Sequence, residues 1–368
     1  MRSIVIIGGG IAGAATALAA AKAGLSPVVF EAHPASGEDI GAFLTLAPNG
    51  FAALRELGVA DAVAAAAFPM TELSVLARTG EVVASRPTSD SFTLRRAELC
   101  RVLQTEAIGR GIPLHHGKRL VTVREDEDGV TAEFADGESV RGDLLVGADG
   151  LRSAVRGLLD DSVVPRYAGQ RVFYGHTAKA APSEPGRMVM VRGSSVAFGY
   201  TVSPARETYW FGRTHGDELS PAEMAAPGWR DHLVELLRDD ATPAAEIVAA
   251  TAEPLLVTNT WDLPAVPRWR TGRVVLVGDA AHAASPATGQ GASMAVEDAI
   301  VLAKALRDTA NPLEVYERLR RPRAEANVAA SARMTAGATD TVPRVGSARR
   351  PADGAVERML AWDAVLED

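Results

Sequence analysis

"IVIIGGGIAGAATALAAAKAGL", residues 4–25, has three readings: a secretion signal, a membrane helix, or the first strand and helix of a nucleotide-binding fold. It carries no charge from Ile4 to Ala21 and follows only Met1, Arg2 and Ser3. A secretion signal needs a basic start, an apolar run and a small-residue cleavage site, which "ALAAAKAG" could supply. A membrane helix needs about 20 apolar residues, and this run nearly reaches that length. The order of residue types decides against both. Ile4-Val5-Ile6-Ile7 is a β-branched run of the kind that forms a buried parallel strand. Gly8, Gly9 and Gly10 would each cost a helix about 1 kcal/mol relative to alanine. A helical, alanine-rich pattern begins only at Ile11, and Gly24 closes it. A second apolar strand, Pro27 to Phe30, ends at Glu31. This is a dinucleotide fold beginning almost at residue 1, so no targeting segment and a cytoplasmic location are expected.

Gly8, Gly10 and Gly13, with Ile11 and Ala12 between the last two, form G-x-G-x-x-G. The first glycine permits the tight turn, the second lets backbone approach a pyrophosphate, and the third lets helix and strand pack closely. The helix N-terminus then offers free N–H groups and its positive dipole end to phosphate. Glu31 lies 18 residues past Gly13, where a carboxylate can take both ribose hydroxyls of an adenosine. That acid repels a 2′-phosphate and argues against NADP at this site. The motif alone does not separate FAD from NAD.

The chain has 368 residues, enough for two domains or one large one, with 47% apolar and 23% charged residues. A net charge of −8 and the lack of any basic run give no footprint for nucleic acid or a membrane surface. Cys100 is the only cysteine, which excludes internal disulfides and cysteine-based metal sites; it reads as a small core residue. "LHHG" at 114–117 falls in a strand that turns its two imidazoles to opposite faces, against a joint metal site.

Further along, "PNGFAALRELGVADAVAAAAF" reads as one helix from Pro48 to the break at Pro69, followed by strands over 70–94. Residues 94–111 read as an amphipathic helix. Residues 119–150 read as three strands with Asp-Gly turns at 128–129 and 136–137, the last strand being Leu144-Leu145-Val146. Tyr167 to Phe211 is rich in aromatics and alternating runs, and reads as an antiparallel sheet. A helix over 229–240 precedes a buried strand, Val274–Val277, ending in Gly278-Asp279. A Gly-rich loop and a long helix carrying Glu297 and Asp298 follow. Residues 335–353 read as a loose loop before a short terminal helix.

Three segments together, "GGGIAG" with Glu31, "GADGLRSAVR" and "GDAAHAASPATGQGASMAVEDA", resemble the flavin-dependent monooxygenases related to para-hydroxybenzoate hydroxylase. Arg96-Ala97-Glu98-Leu99 matches that family's R-x-x-L helix, and Tyr316 to Arg323 its late Y-x-x-x-R-x-P segment. The resemblance implies an α/β fold with a Rossmann-like FAD-binding domain of the glutathione reductase type, an inserted antiparallel-sheet substrate domain and C-terminal helices. Residues 1–70, 95–165 and 255–335 are expected in the FAD domain, 71–94 and 166–254 in the substrate domain, and 336–368 in a C-terminal loop and helix.

By the same resemblance, Asp279 takes the ribityl hydroxyls, Asp149 organises the pyrophosphate side and Arg96 contacts the flavin end; Asp279 as a helix N-cap is a second reading. Pro286, Gly289, Gln290, Gly291 and Ala292 are expected along the flavin's pyrimidine edge, with Pro286 also beside the reacting centre. His282 is expected to be structural or to contact flavin. "GQGASM" ends in Met294, so there is no second fingerprint, and NADPH or NADH would visit as transient reductant. The resemblance implies that reduced flavin and O2 form a C4a-hydroperoxide that passes oxygen to an aromatic or polycyclic small molecule. Alternation places Tyr209, Phe211, Arg213 and His215 on one face of a strand, and Val172, Tyr174 and His176 on one face of another. Arg213 is expected to anchor an anionic or carbonyl group, and Tyr174, His176 or His215 to deprotonate a phenol. The chain departs from the family pattern at Ala32-His33, where a basic residue often stands, and at Glu38-Asp39 before Gly41, where an arginine often occurs. A halogenase, a prenyl reductase and a non-catalytic ligand-binding protein are the alternatives; no W-x-W-x-I-P halogenase motif is present.

Overall fold

The computed structural model describes residues 2–35, 42–179, 181–337 and 353–368. The opening stretch forms β1 (Ser3–Ile7), α1 (Ile11–Lys22) and β2 (Ser26–Phe30). Gly24, at φ +77, ends α1, and Leu25 N–H returns to the Ala20 carbonyl. Next come β3 (Phe43–Leu46), α2 (Pro48–Leu57) and α3 (Ala60–Ala65). The single helix expected from Pro48 is therefore two, because Gly58 adopts the left-handed conformation at φ 70 and caps α2. Glu38, Asp39 and most of the loop expected at 335–353 lie outside the described residues.

The hairpin β4 (Phe68–Ala77) and β5 (Val82–Arg95) leads into α4 (Arg96–Gly109) and the short β6 (Leu114–His115). Four strands follow instead of three: β7 (Leu120–Glu125), β8 (Val130–Phe134), β9 (Ser139–Gly142) and β10 (Leu144–Gly147). The break falls at Asp143, whose carboxylate takes the Ser3 N–H at 2.6 Å and so turns the chain into the parallel sheet. After α5 (Ala154–Leu159) come β11 (Arg166–Thr177), β12 (Arg187–Arg192), β13 (Ala197–Val202) and β14 (Thr208–His215). Then follow α6 (Pro221–Met224), α7 (Trp229–Leu237), α8 (Ala244–Ala249), β15 (Leu256–Asp262) and β16 (Val274–Leu276). The remainder is helical: α9 (Asp279–His282), a 3₁₀ turn over Pro286–Thr288, α10 (Gly291–Asp308), α11 (Pro312–Ala336) and α12 (Asp353–Leu360).

Two large sheets organise these elements. A parallel five-stranded sheet has the order β16-β10-β1-β2-β6, with α1 packed on it and α10 packed on α1. An eight-stranded sheet has the order β15-β11-β14-β13-β12-β4-β5-β3. It is antiparallel except where β12 runs parallel to β4. The sequence reading grouped residues 255–335 with the nucleotide-binding part, yet β15 pairs with β11 as the outer strand of the large sheet. One face of that sheet packs Phe173, Phe198 and Trp210 against α7 and α8, forming a core of its own. Its other face, bearing Tyr174, Phe211 and Arg213, is turned toward β3. Among the described residues no helix is long and apolar enough to cross a membrane.

Candidate active site

The glycine turn after β1 is shaped by close contact. Gly8 stands at φ +102, and a Cβ there would lie 2.5 Å from the Ala148 carbonyl oxygen. A Cβ on Gly13 would lie 1.8 Å from the Gly8 carbonyl oxygen, so only glycine lets α1 approach β1. Around Gly10 a Cβ would meet nothing within 4 Å, so the protein leaves that side open. Ala14 N–H makes the first helical bond, to Gly10, which leaves the N–H groups of Ile11, Ala12 and Gly13 without helical partners. No acid in the first turn neutralises that positive end. Glu31 reaches the turn from β2 and accepts Gly9 N–H at 2.6 Å and His33 N–H at 2.8 Å. Gln104 of α4 donates to the Gly9 carbonyl at 2.7 Å, a contact that sequence reading missed. Arg96, Cys100 and Gln104 recur every four residues and share the face of α4 that borders the turn. An open glycine, free N–H groups and an acid at the neighbouring strand end together fit a dinucleotide.

The two later acids are used differently. Asp149 is half-buried, and its carboxylate accepts Ser153 Oγ–H and the N–H groups of Ala154 and Val155 at the start of α5. Burial pushes its titration upward, and these bonds only partly offset that. It shapes the turn beside Gly8 and keeps little capacity for a ligand. Asp279 is exposed and no side-chain hydrogen bond caps α9, whose N-cap position is Gly278. The N-cap reading of Asp279 therefore fails, and its carboxylate is available to a ligand.

Below Asp279 lies a buried ion network. Asp298 of α10 accepts the Gly278 N–H at 2.8 Å and pairs with His282 Nε2 at 2.6 Å and Arg320 Nε at 2.7 Å. Glu297 pairs with Arg320 and with Arg323, and Asn49 of α2 donates to it at 2.7 Å. Glu297, Asp298 and Arg320 are fully buried. Burial pushes both carboxyls up, but the surrounding cations win and hold Asp298 at about 2 and Glu297 below its usual range. Burial also lowers His282, and the Asp298 charge more than reverses this. His282 is thus a structural residue under the turn. Arg320 is the residue that sequence reading did not single out, although the Y-x-x-x-R-x-P segment contained it.

The loop that follows sets α10. Pro286 opens the 3₁₀ turn, Gly289 stands at φ 65, and Gln290 is the N-cap residue with no side-chain cap. Gln290 Oε1 accepts from Asn49 at 3.1 Å, which holds the loop against α2. Met294 N–H makes the first helical bond, so the N–H groups of Gly291, Ala292 and Ser293 are left over, and no acid stands in that turn. The Ser293 hydroxyl accepts the Ala47 N–H at 3.2 Å. This is a second positive helix end, about where the resemblance places the flavin's pyrimidine edge.

On the sheet, register pairs Val172 with Arg213, Tyr174 with Phe211, and His176 with Tyr209. Phe43 of β3 covers this face, its ring centroid 6.4 Å from Tyr174, 6.0 Å from Tyr209 and 6.1 Å from Phe211. Burial pushes the Tyr174 phenol up to about 12, with the Arg213 and Arg96 charges pulling the other way. Burial pulls Arg213 down, and only Tyr174 opposes this. Tyr174 is therefore protonated at neutral pH and can donate a hydrogen bond, but it is no base. Arg213 has no ion-pair partner among the described residues, its Nε is buried without a hydrogen bond, and its guanidinium sits 5.6 Å from the Phe211 ring centroid. The two histidines do not converge. His176 stacks on Tyr209, whereas His215 is exposed at the far end of β14, opposite Gln170, with its Nε2 3.4 Å from that side chain. Six residues of β11 separate those positions, about 20 Å.

Residues 1–331 match the family described as FAD binding domain. The chain is 33% identical over 351 residues to an aurachin C monooxygenase/isomerase of Stigmatella aurantiaca, covering 90% of this chain and 88% of that protein. It is 31% identical to a salicylate hydroxylase of Pseudomonas putida, covering 87% and 82%. The crystal structure of Klebsiella pneumoniae HpxO with FAD and uric acid superposes with a TM-score of 0.84 at 26% identity, covering 98% of this chain and 92% of that one.

Proposed function

The chain belongs to the FAD-binding-domain family of flavin-dependent aromatic monooxygenases, and from that premise we propose that it hydroxylates an aromatic small molecule whose anionic or carbonyl group pairs with Arg213. The observation behind this reading is the Arg213 side chain, a guanidinium beside the Phe211 ring with a buried, unpartnered Nε. A buried N–H donor without an acceptor is costly, and the anionic or carbonyl group of a substrate would answer the Arg213 guanidinium. Tyr174, protonated and close to Arg213, donates to the same substrate group, while Phe43 and Phe211 flank the ring.

The nucleotide residues divide along FAD. The N–H groups of Ile11, Ala12 and Gly13 hold the pyrophosphate beside Gly8 and Gly10, and Glu31 takes the adenosine ribose. Asp279 takes the ribityl hydroxyls, Arg96 stands at the flavin end, and Pro286 to Ala292 border the pyrimidine edge. When bound, FAD would supply the redox chemistry by which two electrons from NADPH or NADH and one O2 put one oxygen atom into the ring and release the other as water. The chain orients the ring, keeps water from it under Phe43, and stabilises negative charge with the α10 N-terminus.

Anaerobic mixing of the FAD-loaded protein with NADPH or NADH tests this reading. Bleaching of the flavin band accelerated by aromatic carboxylates is expected; no bleaching under any condition overturns nicotinamide-driven turnover. Arg213→Gln is expected to raise the KM of a carboxylate-bearing ring about ten- to a hundredfold, corresponding to the roughly 1.5–3 kcal/mol of a charged hydrogen bond. An unchanged KM removes Arg213 as the anchor.

A further inference from the structure

Register across the large sheet sets Arg213 of β14 opposite Ala197 of β13, and Ala197 opposite Arg192 of β12. Residues paired directly opposite share a face, so Arg192 stands on the face that carries Tyr174, Phe211 and Arg213. Two strand spacings separate the arginines, about 10 Å between their backbones. The row runs on to Val172 of β11 at one end and Ala77 of β4 at the other. The neighbouring row, from Tyr174 through Phe211, Gly199 and Met190 to Val75, also holds no carboxylate. The reaction face thus carries a second cation that the proposed single anchor does not use.

Arg192 shares with Arg213 a lack of partners. Its Nε is buried without a hydrogen bond, and it makes no ion pair among the described residues. Asp240 does not answer it: that carboxylate lies beside Gly193 and accepts the Ser194 N–H at 3.1 Å. The side chain as a whole is only half-buried, so the ends of its guanidinium stay within reach of a ligand. Ala197 between the two arginines is also half-buried, and Gly199 beside it has no side chain. Nothing bulky on β13 therefore rises between the two charges. Like charges on an acid-free surface repel each other, and a ligand that is negative toward both relieves this.

We propose that Arg192 is a second substrate anchor, so that the protein prefers an aromatic ring bearing acidic groups at opposite ends, one held by Arg213 and the other by Arg192. The inference rests on the reading that Arg213 anchors the reacting ring. It makes Arg192 a specificity-determining residue, outside every nucleotide motif, that selects for the second charge.

The test titrates the FAD-loaded full chain with salicylate and with 2-hydroxyterephthalate, which adds a second carboxylate across the ring, following the perturbation of flavin absorbance. The dicarboxylate is expected to bind about tenfold tighter, as one further charged hydrogen bond gives. Arg192→Gln should bring the ratio of affinities to about one by weakening the dicarboxylate. Arg192→Met, which keeps the apolar stem and removes the charge, takes its place if Arg192→Gln fails to hold FAD. A wild-type ratio of one, with salicylate still bound, overturns Arg192 as an anchor and leaves the Arg213 reading standing. A high ratio that survives loss of the Arg192 charge also overturns it. No perturbation by either compound removes the aromatic-binding premise, and the inference with it.

Discussion

Gly13 shows how little freedom single residues have here. Its missing Cβ would fall 1.8 Å from the Gly8 carbonyl, a backbone atom that cannot move without shifting β1. Gly13→Ala is therefore expected to purify with little bound flavin and with stability lowered by at least about 1–3 kcal/mol, the cost of overpacking. Flavin content and thermal denaturation check both. Tyr174 makes a prediction of a different kind. Burial raises its phenol to about 12, so it stays protonated throughout the neutral and mildly alkaline range. Substrate affinity should then show no Tyr174 ionisation below about pH 10. An alkaline limb near pH 8 that disappears in Tyr174→Phe would contradict this assignment.

At the scale of the element, α10 depends on charges buried behind its first turns. Glu297 and Asp298 meet Arg320 of α11, and Asp298 also fixes Gly278 at the start of α9. Arg320→Met leaves two carboxylates buried with less compensation, and is expected to cost about 3–5 kcal/mol in denaturant unfolding. Because both carboxyls titrate below their unfolded values, their contribution is complete above pH 4.5 and is lost as pH falls toward about 2. Acid unfolding of the native chain should steepen in that window, and the Arg320→Met chain should lose much of this dependence. An identical acid limb in both chains would count against the network.

In the whole molecule, α11 ties the two large sheets together. Near its start the Tyr316 hydroxyl donates to the Leu276 carbonyl of the parallel sheet. Near its end the Thr335 carbonyl accepts from Gln170 of the large sheet at 3.0 Å, and Ser331 and Thr335 hold Ser285 just before the Pro286 turn. The C-terminal segment is anchored on the other side of the nucleotide-binding part. Lys304 Nζ donates to the carbonyls of Met359 and Ala361, and the Trp362 ring lies under Lys22 and Arg307 at 4.7 and 4.8 Å. Trp362→Ala is expected to lower stability by about 1–3 kcal/mol through lost burial and two cation–π contacts. Flavin content should not change, since none of these groups reaches the glycine turn.

The β1-α1-β2 unit, its glycines and Glu31 were legible in the sequence because strand period, helix period and turn chemistry act over neighbouring residues. The alternation of β11 and β14 likewise placed Tyr174, Phe211 and Arg213 on one face. Local pattern could not supply register between strands, and that register sets His176 and His215 about 20 Å apart while it pairs Tyr174 with Phe211 and Val172 with Arg213. Nor could it show that Asp149 is consumed by α5, or that Arg320 answers Asp298 from 22 residues away. The sequence by itself determined the nucleotide fold and the residue types of the site. Which of those residues meet was decided by tertiary structure, because contacts between distant segments depend on packing and charge pairing that leave no local periodic trace.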